Sequence, residues 1–172
     1  MDWVQFAVQW LHVIFAIFWF GSTMYIGLVV MPTLQKAPPS SVRDVGRRIV
    51  PRMAVAMRAA GVVVIVLGIL RGTVWGPLPP GDGSVSFGSE YGITWSVSIL
   101  LALAVFAVGD GGVVRSAARL YGDDGLWGFA TAGGPPPAGF VALAGRLRTF
   151  SLVQLALFVA AFTCMILMRF GL

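Results

Sequence analysis

The stretch "WVQFAVQWLHVIFAIFWFGSTMYIGLVVM", residues 3–31, decides the reading of this chain. A helix needs about 20 apolar residues to cross a hydrocarbon layer about 30 Å thick, and this run exceeds that length. Only His12, two glutamines and small or hydroxyl residues interrupt it, and Pro32 follows as the expected stop. It is too long for the apolar part of a signal peptide and lacks a basic leader, so it reads as a retained span.

Three more segments of the same kind follow. Residues 53–74 form the second expected span, with Pro51 suited to a helix start and "GPLPPG" beyond as a stop. Residues 93–108 form the third, with a helical pattern running on to Leu120, and residues 147–168 form the fourth. Hydrophobic residues make up 58% of the chain and charged residues 11%, far from the balance of a soluble domain. The expected architecture is all-α: one integral membrane four-helix bundle over residues 1–172, without a separate soluble domain. Gly21 and Gly27 on the first span and Gly61 and Gly68 on the second are expected to let backbones approach closely. The longest connection is too short and too rich in glycine and proline to bury a core of its own.

Basic residues set the expected orientation. Lys36, Arg43, Arg47, Arg48 and Arg52 lie in the first connection, and Arg115, Arg119, Arg146 and Arg148 in the third, whereas Arg71 and Arg169 lie at the opposite ends of their spans. The positive-inside rule then places both termini outside a cytoplasmic membrane. The net charge of +5 is a topology signal on this reading, not a nucleic-acid footprint. A single cysteine, Cys164, excludes an intrachain disulfide.

His12 is the only histidine. It stands about nine residues into the first span, roughly 13 Å deep, where an imidazole is costly unless something compensates it. Gln5, Val8, Phe15, Ala16 and Trp19 share its side of the helix and Gln9 flanks it. Amides, an imidazole and large aromatics together suit a flat conjugated ligand. The plain structural alternative is a hydrogen bond to a hydroxyl on a neighbouring helix, such as Thr94, Ser96, Ser98 or Thr163.

Structural zinc normally takes four ligands, which these spans do not supply, whereas haem needs only one or two axial donors. His12 is therefore the candidate axial ligand of a haem b, with Cys164 or Met165 at a similar depth as a second donor. Phe15 and Trp19 could pack on the macrocycle, and Arg71 and Arg169 could meet its propionates; the alternative for both arginines is snorkelling to the interface. A homodimer could also place His12 of each chain on one iron. The stretches "GDGSVSFGSEYG" and "GDDG" lack the donor spacing of a calcium loop and read as turns, and "GDGG", residues 109–112, follows a span and lacks the lysine and hydroxyl spacing of a P-loop. The seven methionines are dispersed and read as core.

The stretch "LHVIFAIFWFGSTMYIGLVVMPTL", the basic segment "RDVGRRIVPRM" and the span "GVVVIVLGIL" together resemble a superfamily of four-helix membrane proteins. It includes the copper resistance D family, the HemJ-type protoporphyrinogen oxidases and an uncharacterised branch. The resemblance covers residues 10–75 and implies a haem-associated bundle with His12 near the cofactor. Members with bound b-type haem or oxidase function generally carry further histidines or a lysine in later spans; this chain has neither, so the uncharacterised branch is a better match than the HemJ-type oxidases. The expected function is a haem-binding electron carrier, sensor or haem-handling protein, working with the bilayer and an unidentified redox partner. The alternatives are a copper or small-solute permease and a non-catalytic anchor or assembly module.

Overall fold

A computed structural model describes residues 3–34, 36–74 and 88–170. Four helices are long and apolar enough to cross a membrane: α1 (Trp3–Leu34), α2 (Pro39–Thr73), α3 (Glu90–Gly122) and α4 (Ala138–Phe170). Among the described residues there is no strand, and the all-α four-helix bundle expected from the sequence is observed.

Each helix is longer than its apolar run. At 1.5 Å per residue, a helix of 33 residues such as α3 extends about 50 Å, well beyond a hydrocarbon layer of about 30 Å. Prolines do not stop the helices where the sequence suggested. Pro32 sits inside the continuation of α1, because the chain widens into a π-helical turn over Ile26–Val30 just before it. There the Met31 N–H bonds the Ile26 carbonyl, five residues back, which relaxes the crowding a proline ring imposes on the preceding turn. Pro51 does not start the second span either: it lies within α2, whose first turn is at Pro39. The expected stop at "GPLPPG" lies outside the described residues.

Inter-helix contacts give the topology. His12 meets Val64 and Gln9 meets Arg71 across α1 and α2, so these helices are antiparallel. Trp95 against Gly72 and Phe106 against Gly61 set the same relation for α2 and α3, and Gln154 against Gly109 sets it for α3 and α4. Phe20 packs on Phe158 and Phe162 to close the ring between α1 and α4. This is an up-down-up-down bundle, so Trp3 and Phe170 share one end.

Ala16, Trp19, Ala60, Val64, Val105 and Phe158 form the membrane-level core. Trp19 and Phe158 meet edge to face at 4.9 Å between ring centres, a geometry that aligns ring edges with the electron-rich faces. Gly61 makes room for these rings: a Cβ there would lie 2.7 Å from Phe106 and 3.0 Å from Trp19. Gly68 likewise faces His12. Gly21 and Gly27, expected to do the same on α1, have no atom within 4 Å of where a Cβ would stand, because both lie on the outward face.

The helix extensions at the end opposite the termini build a second core that the sequence reading did not anticipate. Ala117, Leu120, Tyr121, Trp127 and Leu147 are buried there together. Trp127 lies in a short 3-10 turn, Asp124–Trp127; its indole N–H donates to the Leu120 carbonyl at 2.6 Å, and its ring stacks on Tyr121. The connection alone is indeed short, but the projecting turns of α2, α3 and α4 supply most of the apolar surface. Arg43 and Arg47 of α2 both bind the Asp124 carboxylate, Arg47 at 3.0 Å, pinning the turn to the bundle. Arg43 in particular holds the Asp124 carboxyl below its usual range by hydrogen bonding, aided by the charges of both guanidiniums.

Candidate functional site around His12

His12 is half-buried on α1 and faces α2. Its Nδ1 lies 3.0 Å from the Val64 carbonyl oxygen. A carbonyl only accepts, so in the neutral imidazole Nδ1 carries the proton and donates it, and Nε2 keeps its lone pair. Three of the four hydroxyls considered from the sequence bond elsewhere, and the partner of His12 is a backbone carbonyl instead of Thr94 or any of them. Ser96 donates to Gly92, Ser98 to Trp95 and Thr163 to Val159, each on its own helix, where a carbonyl one turn back is always within reach.

Gly68 explains how the ring fits. A Cβ at this position would come within 3.2 Å of the imidazole Cε1, so the missing side chain leaves the space that His12 occupies. The indole of Trp95 reaches the Gly68 carbonyl from α3 at 3.5 Å, closing the niche from the other side. One turn towards the termini, Arg71 Nε donates to Gln9 Oε1 at 3.0 Å. The structure thus gathers Gln9, His12 and Arg71 into one polar patch at the end of the bundle that carries the termini.

The remaining candidates are placed differently. Phe15 packs against the core and Trp19 is 3% exposed, its ring taken up by Phe106 and Phe158. Met165 borders a cavity of about 20 Å³ together with Ala16, Trp19 and Val64, which puts it across the bundle one turn from His12. Cys164 is half-buried beside it on α4, and Arg169 is exposed on the last turn. Among the described residues, no three or more His, Cys, Asp or Glu side chains converge.

Haem places two separate demands on these residues. The donor fits: an imidazole whose Nδ1–H is anchored on a backbone carbonyl presents Nε2 in the tautomer of a metal-ligating histidine. Arg71, one turn away, is a fork for a carboxylate. The aromatic core does not offer the space, since about 20 Å³ accommodates a water and not a macrocycle. A ring bound to His12 therefore belongs at the half-exposed polar patch, outside the cluster of Trp19, Phe106 and Phe158.

A second polar feature was not legible in the sequence. Asp110 lies inside α3 in a π-helical segment, Gly109–Val114, and binds Arg58 of α2. The spans therefore do contain a carboxylate. Its partner could not be read from the spacing, because the pair joins two helices; on the same segment Gly109 and Gly112 leave room for Gln154 and Phe150 of α4. Comparison of the chain with family models, curated proteins and solved structures gives no match.

Proposed function

We propose that this chain is a multi-pass protein of the cytoplasmic membrane that binds haem b through Nε2 of His12, serving electron transfer, sensing or haem handling. The single observation that carries this reading is the Nδ1 contact to the Val64 carbonyl, which leaves Nε2 as a lone-pair donor at a depth where a free imidazole is costly. The Val64 carbonyl fixes the tautomer and the orientation of the ring. Arg71 exchanges its bond to Gln9 for a propionate. Bound haem supplies one-electron chemistry or a site for a diatomic gas. A second donor would come from His12 of a second copy in a homodimer, since Met165 and Cys164 lie across the packed core from a ring held at the polar patch.

The test is an absorption spectrum of the detergent-purified protein, with and without dithionite. The wild type shows a Soret band, and His12→Ala loses or shifts it while the helical content is unchanged. A bis-histidine spectrum additionally requires a dimeric mass. A wild type that stays colourless after expression with excess haem, or a His12→Ala spectrum identical to wild type, overturns the proposal.

A further inference from the structure

Three arginines at the end opposite the termini stand on one level of the bundle. The contacts of Arg58 with Asp110 and of Gly46 with Tyr121 bracket the α2–α3 seam, and in that antiparallel register Arg52 lies opposite Arg115. The contacts of Gly112 with Phe150 and of Gly109 with Gln154 bracket the α3–α4 seam, and there Arg115 lies opposite Arg148. All three side chains are exposed, and among the described residues none has a carboxylate within 4.0 Å, the ion pairs there belonging to Arg43, Arg47 and Arg58.

Each of the three also caps an outward apolar stripe of its own helix. On α2, steps of three and four lead from Arg52 through Val55, Val62 and Val66, which are 66%, 50% and 48% exposed. On α4 the same steps lead from Arg148 through Leu152, Val159 and Ile166, which are 58%, 54% and 57% exposed. On α3, Arg115 follows Leu100 and Leu103, which are 66% and 47% exposed. From Arg52 to Thr73 is about 32 Å at 1.5 Å per residue, close to one hydrocarbon thickness. A guanidinium at this height therefore meets phosphate while the stripe beside it meets acyl chain.

We infer that Arg52, Arg115 and Arg148 form a collar that binds the headgroups of anionic phospholipids, with the acyl chains lying along the three outward stripes. Guanidiniums bind phosphate oxygens bidentately, and among the described residues no carboxylate competes for these three. Arg48 and Arg119, one turn further from the hydrocarbon, extend the positive field. The inference is independent of His12 and of any cofactor.

The experiment uses the full chain in non-ionic detergent, with lipid retention followed by native mass spectrometry and thermal unfolding measured in parallel. Phosphatidylglycerol is expected to stay bound and raise the unfolding temperature, and phosphatidylcholine or inorganic phosphate to do neither. With roughly fivefold in affinity per arginine, an Arg52→Gln/Arg115→Gln/Arg148→Gln variant binds phosphatidylglycerol on the order of 100-fold more weakly. The corresponding triple lysine variant, which keeps the charge and loses the fork, retains part of the binding. Equal retention of phosphatidylglycerol and phosphatidylcholine by the wild type overturns the inference, and this arm needs no variant to fold. A full shift with inorganic phosphate alone, or undiminished binding by the glutamine variant, overturns it as well.

Discussion

Gly72 of α2 lies directly beneath the indole of Trp95 of α3, with no space left for a Cβ. The indole reaches Gly68 one turn away, so two glycines on one face of α2 seat a single tryptophan that closes the His12 niche. Gly72→Ala is therefore expected to destabilise the bundle by about 1–3 kcal/mol, the usual cost of overpacking. Gly21→Ala, where a Cβ meets nothing within 4 Å, is expected to be neutral or stabilising. Thermal unfolding of both variants in one detergent checks the pair, and equal effects would contradict the packing described here.

Arg58 and Asp110 neutralise one another on facing helices. Asp110→Asn leaves a cation without its partner at membrane level, and Arg58→Gln leaves an anion. Each single variant is expected to lose more stability than the double variant would imply by addition, with a coupling of about 0.5–3 kcal/mol from a double-mutant cycle. Strict additivity would show that the two charges do not depend on each other.

Asp124 joins the 3-10 turn to α2 through Arg43 and Arg47. Its carboxyl is held low in the folded state, chiefly by the hydrogen bond from Arg43, so its contribution is complete above the ordinary carboxylate range. That contribution is lost as pH falls through the lowered folded value. Wild type should accordingly be more stable than Asp124→Asn at neutral pH, and the gap should close on acidification. A gap in unfolding temperature that stays constant down to pH ~3 would rule this linkage out.

On the positive-inside rule, the end of the bundle that carries Arg52, Arg115 and Arg148 is expected on the cytoplasmic side. A reporter active only outside the cytoplasmic membrane should work when fused after Leu172 or within residues 78–90, and should be silent within residues 36–46. The reverse pattern would invert the bundle.

Four apolar runs of spanning length were enough to determine that this chain is an all-α bundle, because a backbone in hydrocarbon must satisfy its own hydrogen bonds and a helix does so locally. The depth of His12 and the segregation of arginines to one end are likewise one-dimensional facts, readable from residue spacing. The partner of His12 was not, since the Val64 carbonyl belongs to a backbone that looks the same at every residue; only the register of α1 on α2 selects it. The same limit hid the pairing of Arg58 with Asp110, which joins residues 52 positions apart on two facing helices. Pro32 and Pro51 misled for a related reason: a proline's cost to a helix is local, and packing along the rest of the helix, with a π-turn to relax the strain at Pro32, decided that the helices continue. The second core around Trp127 required the tertiary structure outright, because its apolar surface comes from three helix ends and a connecting turn, none of which buries it alone.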